Sequence, residues 1–173
     1  ERVVEGDGGL LSFARSGQVV VDLSTAAASS TVRLAGLFEA RGARYVDAGI
    51  SGGAVAAEKG TLTLMVGGDR VAVESLQALF KPIASKAVHM GPSGSGHTTK
   101  LLNNFLNAVS LAATAEVMVA GKKAGLDLHQ LLDVLNSSSG VNFATLNRFP
   151  KIVDGDYLEG GLTGKLMTKD ILL

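Results

Sequence analysis

The chain changes its pattern at Gly96, and this change constrains the fold more than any other feature of the sequence. From about Thr98 to Ala124 there is no proline and only one glycine, Gly121, which predicts a helix about 40 Å long. Before Gly96, short β-branched runs alternate with helical stretches through glycine turns, a pattern typical of a mainly parallel α/β sheet. We therefore expect an α/β domain over residues 1–95 and a helical domain over residues 96–173.

Local patterns place the individual elements. Strands are predicted over residues 17–22, 44–47, 62–66 and 87–90. Helices are predicted over residues 26–41, 71–80 and 127–135. Ser24 and Thr25 are candidate caps for the first of these helices. The long helix is apolar on most sides, which predicts that it is buried at the centre of the fold.

Composition and charge exclude several classes of function. The 173 residues carry 16 Lys and Arg against 16 Asp and Glu, so we expect no nucleic-acid partner and no acidic membrane surface. Cysteine is absent and the three histidines lack the spacing of metal ligands, so we expect no metal site. No apolar stretch has the length of a membrane span and the N-terminus is charged, which predicts a cytoplasmic protein. Both ends read as cuts through a longer protein.

A polar stripe runs along the long helix. It consists of residues that recur at helical spacing, namely Lys100, Asn103, Asn104, Asn107 and Thr114. A strip exposed to solvent is one interpretation, although such a strip usually carries several charges of both signs. The other interpretation is a site for a carbonyl or hydroxyl substrate, in which Lys100 gives or takes a proton and Asn104 holds an oxygen or a carboxylate.

Ser51, Gly52 and Gly53 follow the second predicted strand. A serine before two glycines exposes consecutive backbone N–H groups, which suits a carboxylate. A plain loop explains the same residues equally well, so both interpretations stay open at this point.

The segment Gly91–Thr98 comes close to a P-loop. A P-loop has the form G-x-x-x-x-G-K-[S/T], and here His97 stands in the lysine position. A mostly neutral imidazole cannot replace a permanent ammonium at a triphosphate, so a glycine turn that enters the long helix is the favoured interpretation. In that case His97 is expected to be a replaceable neighbour of the turn.

Together these stretches resemble the β-hydroxyacid dehydrogenase family, and the resemblance covers nearly the whole chain in the right order. The matching motifs are Asp22-Leu-Ser24-Thr25, Ser51-Gly52-Gly53 with Gly60-Thr61-Leu62 and Met65-Val66-Gly67-Gly68, Gly91-x-x-Gly94-x-Gly96-x-x-x-Lys100-x-x-Asn103-Asn104, and Leu166-Met167-x-Lys169-Asp170. The resemblance implies an α/β fold made of the second half of a Rossmann-type domain, a long interdomain helix and an all-helical C-terminal domain.

The resemblance also implies a function. It implies hydride exchange between NAD or NADP and a small 3-hydroxy acid or its semialdehyde, with Lys100 as general acid and base. By the same comparison Ser51, Gly52, Gly53 and Asn104 bind the substrate, Thr25, Lys169 and Asp170 lie by the cofactor, and the N-terminus of the long helix faces a cofactor phosphate or the substrate. A homodimer or homotetramer is expected.

Two departures from the family pattern limit what the resemblance carries. Gly49 stands where the family commonly has proline, which predicts a less rigid substrate loop. The chain also lacks the G-x-G-x-x-G motif that binds a cofactor pyrophosphate, so cofactor binding by this segment alone is not expected. A non-catalytic fragment or paralogue that dimerises through its helices is the alternative, whereas Lys100 argues against an imine reductase.

Overall fold

Four strands form one sheet, in chain order, in the computed structural model, which describes residues 2–157 and 163–173. The strands are β1 (Val19–Asp22), β2 (Arg44–Ser51), β3 (Leu62–Gly67) and β4 (Ala84–Gly91). β1 and β2 are parallel, as are β3 and β4, but β2 and β3 are antiparallel. The antiparallel pair departs from a purely parallel sheet because its connection is shorter than the dozen or so residues that a parallel crossover needs.

Short helices surround the sheet. They are α1 (Arg2–Glu5), a 3₁₀ turn (Leu10–Phe13), α2 (Ala28–Glu39), α3 (Gly53–Glu58), α4 (Arg70–Ser75) and α5 (Gln77–Phe80). The helix expected over residues 71–80 is therefore two helices, because Leu76, at φ −90° and ψ 0°, is the C-cap of α4 and the N-cap of α5.

The capping prediction for α2 is wrong. Its N-cap residue is Ala27, which makes no side-chain hydrogen bond to the helix. Ser24 does not cap the helix because it belongs to a turn directly after β1, in which its N–H donates to Asp22 Oδ1 over 2.9 Å. This local turn ends the strand, and the chain then stays extended before the helix begins.

The two faces of β2 pack against different helices. Val46 and Ala48 belong to a buried apolar cluster that also holds side chains of β3, α4 and α5. Tyr45 points to the opposite face, where it packs with Leu34 and Phe38 of α2. Because side chains alternate along a strand, Asp47, Gly49 and Ser51 face the same side as Tyr45.

The chain divides into two compact units, Glu1–Leu102 with Leu172–Leu173, and Asn103–Ile171. Beyond the sheet the described residues form α6 (Ser95–Lys123), α7 (Leu128–Asn136), α8 (Phe143–Asn147), α9 (Phe149–Val153) and α10 (Gly164–Leu172). The second unit has its own core of Met118, Leu132, Ala144 and Phe149. Asp127 caps α7 through a 2.9 Å bond from the Gln130 N–H.

The long helix is not buried on all sides, contrary to expectation. Phe105, Leu106 and Val109 are 55%, 66% and 47% exposed. By contrast, Asn104 and Thr114 of the polar stripe are buried, whereas Asn103 is exposed, so the stripe is solvated only in part. Their burial is possible because both are hydrogen-bonded, Asn104 to a carboxylate and Thr114 to the Ser110 carbonyl.

Within residues 2–157 and 163–173, the length and apolarity required to cross a membrane are not combined in any helix.

Candidate active site

Lys100 lies directly over β2 in the first unit. A Cβ atom placed on Gly49 would lie 2.5 Å from Lys100 Cβ, so α6 rests on the strand at this glycine. Ser51 is two residues further along the strand and faces the same side. The structure therefore brings Lys100 and Ser51 to one face of the sheet. Gly49 lies within β2 and pairs with Met65 of β3. It is therefore not part of the substrate loop whose rigidity it was expected to affect.

Ser51, Gly52 and Gly53 turn the chain from the end of β2 into α3. Gly52 has φ 130° and Gly53 has φ 68°, backbone angles that residues with a side chain rarely adopt. Gly52 is the N-cap of α3 and supplies no side-chain cap. The turn therefore presents the hydroxyl of Ser51 beside the N–H groups of an uncapped helix start, an arrangement that suits a carboxylate.

Asn104, Lys169 and Asp170 form a second group, in the second unit. Asn104 Nδ2 donates to Asp170 Oδ2 over 2.6 Å, and Lys169 Nζ lies 2.7 Å from Asp170 Oδ1. Asp170 is only 6% exposed, so its buried carboxylate is compensated by one hydrogen bond from Asn104 and by the charge of Lys169, while Oδ1 accepts no hydrogen bond from the described residues. Since a carboxylate only accepts hydrogen bonds, Asp170 fixes which end of the Asn104 amide is Nδ2.

Thr25 lies between β1 and α2, beyond the carboxyl end of β1. Ligands of open α/β sheets bind beyond the carboxyl ends of the strands, and uncapped helix starts bind polar oxygens. The hydroxyl of Thr25 and the start of α2, which lacks a side-chain cap, therefore fit the oxygen-rich part of the expected nicotinamide cofactor. No comparable element for the pyrophosphate occurs in the sequence.

Asp22 and Tyr45 form a hydrogen-bonded pair near this edge. Tyr45 OH donates to Asp22 Oδ2 over 2.6 Å. Burial raises the pKa of Asp22, but hydrogen bonds from the Ser24 side chain, Tyr45 and the Ser24 backbone outweigh it, so the pKa lies below its usual value. Burial, followed by the hydrogen bond and charge of Asp22, raises the pKa of Tyr45 well above its usual value.

The Gly91–Thr98 turn does not have the features of a P-loop. The N–H groups of Gly94 and His97 donate to the two oxygens of Asp47, each over 2.8 Å, so a carboxylate occupies the place of a phosphate. The His97 N–H, one of the donors after Gly96 that were expected to face a cofactor phosphate or the substrate, therefore binds Asp47 instead. Among the described residues no cluster of His, Asp and Glu could hold a metal ion.

His97 is not a replaceable neighbour, contrary to expectation. Its side chain is fully buried and its Nδ1 lies 2.7 Å from Thr31 Oγ1 of α2. The Thr31 hydroxyl also lies 3.3 Å from the Ala27 carbonyl, to which it can donate. The ring therefore joins α6 to α2, which is a structural role and not a phosphate-binding one.

Asp47 is the residue at this site whose role was missed from sequence. It stands in the middle of β2, paired with Asp22 on one side and Gly67 on the other, and it is fully buried. A charged residue within a strand of apolar neighbours is the signal that could have identified it.

Comparisons with known families agree with this geometry. Residues 1–91 match the model of the NAD binding domain of 6-phosphogluconate dehydrogenase. Residues 94–173 match the model of NAD-binding of NADP-dependent 3-hydroxyisobutyrate dehydrogenase. The Rossmann-type α/β fold followed by a long helix and a helical region is thereby confirmed.

Individual relatives point the same way. The chain is 38% identical to 2-(hydroxymethyl)glutarate dehydrogenase of Eubacterium barkeri over 99% of its own length, and 38% identical to NAD-dependent L-serine dehydrogenase of Pseudomonas aeruginosa over 95%. It spans 57% of the length of each. A solved structure of Mycobacterium tuberculosis 3-hydroxyisobutyrate dehydrogenase with L-serine aligns with a TM-score of 0.84 at 31% identity, over 92% of this chain and 57% of that one. The chain thus belongs to the β-hydroxyacid dehydrogenase family.

Proposed function

We propose that the whole protein is an oxidoreductase that transfers a hydride between NAD or NADP and a small 3-hydroxy acid or its semialdehyde. The observation that carries this proposal is the position of Lys100, held over Gly49 on the same face of β2 as Ser51. This position supports a role for Lys100 beside a turn that suits a carboxylate, and the relatives of the chain include hydroxyacid dehydrogenases. The substrate class is taken from those relatives.

Lys100 is proposed to move the proton. When a semialdehyde is reduced, the Lys100 ammonium donates a proton to the aldehyde oxygen, and when the alcohol is oxidised the neutral amine accepts the hydroxyl proton. A bound nicotinamide supplies or removes the hydride at the carbon. Ser51, Gly52 and Gly53 bind the substrate carboxylate through the hydroxyl and the backbone N–H groups.

The remaining predicted site residues complete the proposal. Asn104 holds the substrate through its amide, whose orientation Asp170 sets. Thr25 and Lys169 lie by the cofactor. Asp170 is buried beneath Asn104 and Lys169, so it acts on the site through these two residues. The division into a cofactor-binding domain over residues 1–95 and a helical domain over residues 96–173 is likewise proposed. The cytoplasmic location stays a prediction.

We also propose that the protein associates with copies of itself as a homodimer or homotetramer. The support is the exposed apolar face of α6 formed by Phe105, Leu106 and Val109. Contiguous apolar side chains on a protein surface mark interaction sites more often than scattered ones do.

Substitution of Lys100 in the protein expressed from its complete reading frame tests the activity. Lys100→Ala is expected to lower kcat about 10²- to 10⁴-fold, the usual contribution of general acid–base catalysis, with little change in cofactor affinity. Lys100→Arg should fail as well, because a guanidinium does not release its proton near neutral pH. Steady-state reduction of semialdehydes by NADH and NADPH gives kcat and the KM for the cofactor.

Ser51→Ala is the matched comparison for this experiment. Loss of a carboxylate ligand should raise KM for the acid and leave kcat closer to the parent value. Near-normal kcat in folded Lys100→Ala would contradict the proposed function, as would a parent protein that oxidises no hydroxy acid with either cofactor.

A further inference from the structure

Asp47 caps α6 from the sheet. α6 begins at Ser95, directly after Gly94, a residue with no side chain with which to cap the helix. The two oxygens of Asp47 instead accept from the Gly94 and His97 N–H groups, each over 2.8 Å. These donors belong to the first turn, where a helix leaves N–H groups without internal partners and where a negative charge is favourable. The first turn is therefore attached to the middle of β2.

Two glycines leave room for this attachment. A Cβ on Gly67, opposite Asp47 in β3, would lie 2.6 Å from Asp47 Oδ1 and 2.7 Å from the Gly96 nitrogen. A Cβ on Gly96 would lie 2.7 Å from the Asp47 carbonyl oxygen and would also collide with the Met65 carbonyl. The helix thus approaches the sheet backbone closely, with the fully buried carboxylate between them.

Lys100 lies three residues, slightly less than one helical turn, beyond His97, the second donor to Asp47. The same strand supports both points of the helix, since Asp47 binds the first turn and Gly49 receives the Lys100 stem. We propose that a change in the first bond moves the second contact, so that Asp47 is a positioning residue that holds Lys100 over Gly49, near the turn formed by Ser51, Gly52 and Gly53. This inference rests on the function proposed above.

Asp47→Asn in the protein from the complete reading frame tests this proposal. Asparagine keeps the shape of aspartate but presents an NH₂ group to one of the two backbone donors, so one hydrogen bond is lost. We expect kcat to fall about 10- to 100-fold, the cost of displacing a catalytic group by roughly 1 Å, while KM and cofactor affinity change less than about threefold. Amide hydrogen exchange over residues 94–100 should become about tenfold faster.

Asp69→Asn is the matched control. Asp69 caps α4 in the same unit by accepting from the Ala72 N–H over 3.0 Å, and that helix carries none of the proposed site residues. The asparagine oxygen can still accept this bond, so the substitution should change stability little and leave kcat unchanged. If the two variants have equal kcat, Asp47 has only a capping role and the proposal is wrong.

A second variant covers the case in which Asp47→Asn does not fold. Gly67→Ala keeps aspartate at position 47 but places a methyl group 2.6 Å from Asp47 Oδ1 and 2.7 Å from the Gly96 nitrogen. The carboxylate or the start of the helix must then shift, so kcat should fall with KM nearly unchanged. Parent-like kcat in folded Gly67→Ala, or unchanged exchange over residues 94–100, overturns the proposal. Lys100→Ala separates the two ideas: activity that survives its loss refutes the proposed function, whereas inactive Lys100→Ala beside fully active Asp47→Asn refutes only the positioning role.

Discussion

At the scale of residues, the bond from Tyr45 to Asp22 couples the stability of the first unit to pH. The pKa of Asp22 is lowered in the folded chain, so its contribution to stability is complete above the usual carboxyl range, near pH 4, and is lost as the pH falls through the folded pKa. Tyr45 has a raised pKa, so its contribution is complete below about pH 10 and is lost at higher pH. Between these limits the neutral Tyr45 phenol donates its hydrogen bond to the ionised Asp22 carboxylate.

Tyr45→Phe should therefore destabilise the chain in a pH-dependent way. We expect a loss of about 1 kcal/mol in the free energy of unfolding at pH 7, because Asp22 loses a hydrogen bond to its charged form. At pH 3 the difference should shrink, since a protonated Asp22 gains less from the phenol. Urea unfolding of parent and variant at the two pH values measures the difference in stability. An equal difference at both would contradict a charged hydrogen bond, since phenylalanine keeps the ring that packs against Phe38.

At the scale of elements, the helices and strands that depend on local sequence were predictable, and the features that depend on residues distant in sequence were not. The strand starting at Arg44 and the long helix were predicted because both depend on local pattern. The break at Leu76 and the absent cap of α2 were not, because each depends on a backbone turn that many residue types adopt. The burial of Asn104 was also missed, since its partner Asp170 is distant in sequence.

The same limit applies to the turn at Gly91–Thr98. Its glycines predicted a sharp entry into α6, but the acceptor of its N–H groups, Asp47, lies on another element.

His97→Lys tests the structural interpretation, because a buried ammonium beside Thr31 should destabilise the chain by about 3 kcal/mol or more and create no ATP site. His97→Gln, which stays neutral, should fold nearly normally. Calorimetric titration with ATP and magnesium decides, and micromolar binding that tightens in the lysine variant would contradict this structure of the turn.

At the scale of the whole molecule, family membership was predictable because several weak motifs occur in one order along the chain. Lys100 and Ser51 were singled out from the polar stripe and the turn at residues 51–53, and the resemblance implied their roles. Their common face on β2 required the strand register, which no motif contains. The exposed face of α6 was missed for a related reason. An apolar helix looks the same in sequence whether its own chain or another molecule covers it.

Self-association through this face is therefore the prediction that belongs to the whole molecule. Phe105→Asp with Leu106→Asp places two charges where a partner would have to bury them, so the dissociation constant of the assembly should rise more than about 100-fold. Val134→Asp is the control, since Val134 is 59% exposed on a different helix, α7. Sedimentation velocity across a concentration series should show a dimer or tetramer for the parent and the control, and smaller species for the double variant. A monomeric parent, or a double variant of unchanged size, would mean that another molecule or no molecule covers α6.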